Sequence, residues 1–227
     1  TFARHFTTGL RYFRDRFGVR VSAAWAADSF GHTAGLPEIL AAAGIEGFFF
    51  GRPGPAQLPL RSPAFWWEAR SGARILGYRT PAGWYGCERD ELPRRLDSCL
   101  ETAAHGRLRN LGVFLGLGDH GGGPPRRHVG EIRTWAKAHP EVEVVFSGLH
   151  RLLAALQKEA TQKSAAPFPV VRGELNACLR GCHSSLARFK FLYRKTEALV
   201  QRAETVATAA TAMTDPNARQ PAPLAEA

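Results

Sequence analysis

Residues 19–50 read VRVSAAWAADSFGHTAGLPEILAAAGIEGFFF, a short apolar run, a helical pattern and a second apolar run. This strand–helix–strand order constrains the fold more than any other feature. A crossover through a helix sets its two strands parallel and lays the helix across the sheet. The helix is punctuated at both ends, by Pro37 in its first turn and by Gly44 at its stop. One carboxylate, Asp28, stands where the first strand ends, and local structure does not require it.

The same alternation continues. An opening helix through about Phe17 precedes the unit. After it come two short strands, AFWWEA and ARILGYR, separated by a turn at Ser71 and Gly72. A helix near Leu92 to Ala104 follows, then an apolar strand GVFLGL, a helix from about Arg127 to Ala138 and a strand VEVVF. Ser147 is placed to cap the next helix, SGLHRLLAALQ. Parallel strands covered by helices, an α/β class, are expected from this order. Beyond the linker KSAAPFP the character changes to one long Ala-rich helical pattern, SLARFKFLYRKTEALVQRAETVATAATAM, and a Pro-rich end. A lone helix of this kind is marginal without packing, so it reads as the first helix of a further domain.

Composition excludes several classes. With 227 residues and 44% hydrophobic content the chain can bury a substantial core. No apolar run approaches the ~20 residues of a membrane span, and the first residues lack the apolar core of a signal peptide. A cytoplasmic protein without a membrane partner is expected. The chain opens on Thr1 and not Met, which points to residues upstream. The formal charge of +10 is spread as single or paired arginines among acids, without a nucleic-acid-binding signature, so no nucleic-acid partner is expected. The cysteines Cys87, Cys99, Cys178 and Cys182 are too few for a disulfide scaffold, and without a second pair the C-x3-C spacing makes no thiolate zinc site. They are expected to be buried apolar residues.

In parallel α/β folds, function gathers on the loops at the C-terminal strand ends. Asp28 follows VSAAW, Arg52 follows GFFF, and Asp119 follows VFLGLG in the loop GDHGGGPP. Taken singly, each has a plainer role: Asp28 as a cap on the approach to a helix, Arg52 as a surface charge, the glycine run as a flexible turn. A phosphate loop is excluded, because no Gly-Lys-Ser/Thr follows and Pro124 and Pro125 remove backbone donors. A serine-hydrolase triad is excluded by the lack of a G-x-S-x-G elbow. Two carboxylates at strand ends with aromatic neighbours (FFF, FWW, GWYG) suit glycoside hydrolysis, which needs a nucleophile and an acid/base.

WAADSFGHTAGLPEILAAAGI resembles the nucleophile segment of glycoside hydrolase family 38, the α-mannosidases. FWWEARSGARILGY, LGLGDHGGGPP, FSGLHRLLAAL and RGELNACLRGCHSSLARFKFLYRKTEALV resemble later segments of that family in the same order, so the likeness runs from about Arg4 to Thr205. The resemblance implies a (β/α)7-type barrel of parallel strands with outer helices, followed by the start of a helical bundle. Residues 1–165 would be a partial catalytic barrel lacking its first strand. Residues 166–227 would be the barrel end and the first helix of the bundle, truncated. It implies Asp28 as catalytic nucleophile and zinc ligand, Phe30 and Arg52 as substrate-site residues, and Asp119 as acid/base, with His120 an alternative in that Gly-rich loop. One Zn²⁺ per site and an α-mannoside or mannose-containing oligosaccharide as substrate follow in the same way.

The sequence departs from the family at the metal. The upstream His-x-Asp that supplies two zinc ligands has no counterpart before Asp28, since His5 and Asp15 lie in the opening helix. Where the family has its fourth ligand, this chain reads NACLRGCHSS, leaving Cys178 and His183 as the candidates. Two functions are therefore expected: an internal piece of a retaining, zinc-dependent α-mannosidase, or a non-catalytic remnant of the fold acting as a carbohydrate-binding or interaction module. A metal-dependent deacetylase on a related barrel is not supported, for want of paired metal histidines.

Overall fold

The strand–helix–strand unit is present in the computed structural model, which describes residues 1–81, 86–87, 91–117, 122–176 and 178–214, the side chain of His183 excepted. After helix α1 (Phe2–Phe17), strand β1 (Ala23–Ala26) leads to helix α2 (Leu36–Ala42) and strand β2 (Gly47–Phe50). β1 and β2 pair in parallel, Ala26 beside Phe50. Pro37 lies in the first turn of α2. Gly44 follows the helix with φ of 75°, a left-handed conformation that costs glycine nothing and ends the helical path.

The next two strands, β3 (Ala64–Glu68) and β4 (Arg74–Arg79), form the expected hairpin. Ala69 N donates to Ala73 O at 2.8 Å across the turn. β4 lies parallel to β2, with Phe50 beside Arg79, whereas β3 runs antiparallel to β4. A hairpin must reverse direction, so the all-parallel expectation is corrected here. Strand β5 (Val170–Arg172), directly after the expected linker, pairs in parallel with β3 and completes a mixed five-stranded sheet in the order β1-β2-β4-β3-β5.

Helices cover both faces. On one face α2 contributes Leu36 and Leu40 to a core with Phe48, Phe50, Phe65, Trp67, Ile75 and Leu175. On the other, helix α5 (Leu149–Thr161) packs Leu153 and Leu156 against Phe49, Leu76 and Tyr78. Each fully buried Phe or Leu here contributes about 1.5–3 kcal/mol through removal from water. Double coverage is why GFFF carries no polar position, all four of its residues being buried. Helices α3 (Leu92–Gly106) and α4 (Arg126–Ala138) make a smaller core of Leu92, Leu96, Ile132 and Trp135 with Cys87.

Two expected strands are not formed. GVFLGL, residues 112–117, has no ladder: its backbone bonds at Gly116 and Leu117 go to the loop residues Cys87 and Gly122, and its first residue is engaged by a side chain. Gly112 N donates to the Tyr78 hydroxyl at 2.8 Å, and that hydroxyl donates to Gly112 O at 3.0 Å. Just upstream, the buried carboxylate of Glu159 accepts from Arg109 N, Asn110 N and Asn110 Nδ2 at 2.8, 3.0 and 2.8 Å. VEVVF, residues 142–146, has no strand partner among the described residues and leaves Val145 56% and Phe146 54% exposed. Ser147 is not the cap of α5. Gly148 takes that position without a side-chain hydrogen bond, and the Ser147 hydroxyl points to Gly148 O at 3.3 Å.

The chain divides into two units, Phe2–Cys178 and Leu179–Ala227, Thr1 belonging with the second. The second holds a short helix, α6 (Gly181–Ser184), and one long helix, α7 (Ala187–Thr214), none of whose residues is buried. Cys87, Cys99 and Cys178 are buried as expected, but Cys182 is exposed, and none of the four forms a disulfide. Burial pushes the Cys99 thiol up to about 11. No helix among the described residues is long and apolar enough to cross a membrane.

The Glu159 clamp generates a prediction. In Glu159→Ala the amides of Arg109 and Asn110 lose their acceptor, and an unmade buried hydrogen bond costs about 1–3 kcal/mol. Amide hydrogen exchange over residues 107–116 should therefore accelerate about 10²-fold. Unchanged exchange would show that another acceptor replaces the carboxylate.

Candidate active site

β1, β2 and β4 are mutually parallel, so their C-terminal ends lie on one edge. Asp28 lies two residues beyond β1, Arg52 two beyond β2, and Arg79 is the last residue of β4. Arg52 Nε donates to Asp28 Oδ1, forming an ion pair between the two loops. The hydrogen bond with Asp28 is the main cause that raises the Arg52 pKa above its ordinary value, and contact with Cys178 adds to it. The Asp28 side chain remains 46% exposed, so the carboxylate is both oriented by a cation and open to a ligand. Asp28 does not cap a helix, since the residue before α2 is Gly35.

Phe30 turns its ring under Arg52, whose guanidinium carbon stands 5.8 Å from the ring centroid. The opposite wall comes from far along the chain. After β5 the backbone crosses the face covered by α2: Trp67 Nε1 donates to Gly173 O at 3.0 Å, and Leu175 enters the α2-side core. There Leu175 and His32 exchange backbone hydrogen bonds of 2.8 and 3.0 Å. Gly31 is needed at this crossing, because a Cβ at that position would come within 2.4 Å of Asn176 Oδ1. The segment thereby delivers Cys178, buried, to Arg52.

Two residues with no role in the sequence reading join this group. His32, buried among Phe48, Phe50 and Trp67, directs Nε2 to Arg52 O at 3.1 Å. Desolvation lowers its pKa, partly offset by that hydrogen bond, so the ring is neutral at pH 7. Arg79 is buried and donates Nη1 to Leu58 O; burial lowers its pKa to about 10, and it stays charged at neutral pH. His32 stood in the quoted FGH stretch and Arg79 at a strand end, but neither pattern announces a partner 20 or more residues away.

Asp119 and His120 lie outside the described residues. His183 lies on α6 in the second unit. The described donors do not amount to a zinc site. No three His, Cys, Asp or Glu side chains among them come together to hold a metal ion, and the cation beside both Asp28 and Cys178 is the Arg52 guanidinium. What the group offers chemically is an oriented, accessible carboxylate at a rigid strand end, suited to nucleophilic attack.

Comparison with known proteins finds relatives among α-mannosidases. Alpha-mannosidase 2C1 of Mus musculus is 29% identical over 161 residues, which cover 70% of this chain and 15% of that protein. The Homo sapiens protein of the same name is 28% identical over 165 residues, again 70% of this chain and 15% of the relative. Alpha-mannosidase of Saccharomyces cerevisiae is 24% identical over 218 residues, 90% of this chain and 19% of the relative. The chain thus spans between 15% and 19% of the length of these relatives. The crystal structure of an alpha-mannosidase from Enterococcus faecalis V583 shares the fold with a TM-score of 0.56 at 21% identity, covering 75% of this chain and 20% of that one. Residues 1–174 match the glycosyl hydrolases family 38 N-terminal domain, and the chain belongs to that family.

Proposed function

We propose that this chain carries the nucleophile of a retaining α-mannosidase, acting on terminal α-mannosides of oligosaccharides or small glycosides. The observation that supports the reading is the Asp28–Arg52 pair at the shared C-terminal edge of β1 and β2, inside the family domain. In the first step an Asp28 oxygen bonds to the anomeric carbon while the glycosidic C–O bond breaks, and Asp119 gives its proton to the departing oxygen. In the second, Asp119 takes a proton from water, whose oxygen displaces Asp28 from the anomeric carbon and restores both carboxyl groups. Arg52 keeps Asp28 aimed throughout.

The remaining expectations of the fold belong to the same proposal. A closed barrel would give residues 142–146 the strand neighbours that their exposed Val144, Val145 and Phe146 lack. A helical bundle beginning at α7 would cover Phe189, Leu192, Leu199, Val206 and Met213, exposed positions separated by three or seven residues along one stripe. Zinc, implied by the resemblance, would take Asp28 from this chain, with Cys178 a candidate beside it, and further ligands from residues other than those described.

In the full-length protein, Asp28→Ala should lower turnover of an α-mannoside by about 10⁴-fold or more, with the fold retained by circular dichroism. A fluorosugar that traps the covalent intermediate should label Asp28, and near-normal turnover by Asp28→Ala would remove it from the mechanism. Binding of mannosides without turnover in the wild type would favour the non-catalytic module instead. Asp119→Ala should slow a natural disaccharide more than an activated aryl mannoside, which leaves with little proton donation. Equal losses on both substrates would shift the acid/base role to His120 or another carboxyl group.

A further inference from the structure

His32 is held at the meeting of three chain segments. Its main chain is bonded both ways to Leu175, its Nε2 reaches Arg52 O at 3.1 Å, and its ring stands edge-on to Phe48 and Phe50 with centroids 4.8 and 5.5 Å away. A carbonyl oxygen only accepts, so Nε2 carries the proton and donates. Packing on this scale fixes the ring, and a fixed ring can hold its partner in place.

Resting on the reading of Asp28 as the reacting carboxylate, we propose that His32 is a positioning residue that sets Arg52 for its contact with Asp28. The parallel ladder ends at Phe50, with one further bond from Gly51 N to Ala26 O at 3.4 Å. Arg52 is therefore past the last strand pairing, and the hydrogen bond from His32 anchors its main chain. The other arm of His32, its pairing with Leu175, holds the segment whose Cys178 rests against the Arg52 side chain. Asp28 lies four residues before His32 on the same loop. The loop that presents the carboxylate thus also carries the anchor for its cation, and the spacing of the pair is fixed from one stretch of chain.

The test compares three variants in the full-length protein. His32→Phe keeps the ring and loses the donor. His32→Gln places an amide N–H near the original Nε2, whereas the shorter His32→Asn stops short of Arg52 O. On an activated α-mannoside, His32→Phe and His32→Asn should each lose about 10²-fold in kcat with KM little changed, as a misplacement of about 1 Å does. His32→Gln should recover most of that loss. Should His32→Phe not fold, the Asn and Gln variants carry the same contrast. In an Arg52→Ala background His32→Asn should cost nothing further, because its effect runs through the guanidinium. Additive losses, or equal losses for Gln and Asn, would overturn the proposal in favour of packing alone. Crystal structures decide independently of activity: the Arg52 guanidinium should leave Asp28 in His32→Asn and stay in His32→Gln. An intact pair in both overturns the role of His32, whereas a wild type that cleaves no mannoside overturns only the mannosidase reading.

Discussion

Parallel pairing of β1, β2 and β4 is the constraint on which the rest depends. It brings three strand ends to one edge, and with them a carboxylate and two arginines separated by 24 and 27 residues in sequence. The pairing is stable because both faces of the sheet are buried, by α2 on one side and α5 on the other. A charge at such an edge is held by backbone that has little freedom to move, which is what an oriented nucleophile requires. The ion pair itself is partly exposed and so adds little to folding stability. Its value lies in orientation.

The cost of holding irregular backbone inside the fold is met by side chains. Tyr78 and Glu159 are both buried, and each spends its polar atoms on the main chain of residues 109–112. A buried amide without an acceptor is unfavourable, so a loop can cross apolar ground only where such groups meet it. Burial raises the Tyr78 pKa, which keeps its hydroxyl protonated and able to donate. His32 does the same at the Asp28 edge for Arg52, with an imidazole in place of a phenol.

What the sequence made legible was local. The α2 helix was marked by Pro37 and Gly44, β2 by an unbroken apolar run, and the β3–β4 hairpin by Ser71 and Gly72, each decided within a few residues. What it hid was decided by distant partners. GVFLGL has the composition of a strand, but Tyr78, 34 residues before Gly112, takes the hydrogen bonds of that first residue, and Gly116 and Leu117 bond to Cys87 and Gly122. The three-residue β5 is too short to show a period, and Cys182 is exposed where composition argued for burial. At the edge, Asp28, Phe30, Arg52 and Cys178 were all named from sequence, and the fold brings them together. His32 was not assigned a role, because a histidine in an apolar stretch shows no sign of the carbonyl it will meet 20 residues later.

The antiparallel hairpin divides the sheet's two edges by use. Because β3 reverses direction, its turn at Arg70, Ser71 and Gly72 emerges at the edge away from Asp28, and all three residues are exposed. The backbone there closes on itself, Ala69 N donating to Ala73 O at 2.8 Å and Gly72 N to Ala69 O at 3.0 Å. An affinity tag or surface tether inserted between Ser71 and Gly72 would immobilise the protein with its Asp28 edge turned outward, and a fluorophore placed there would report tumbling without shading the carboxylate.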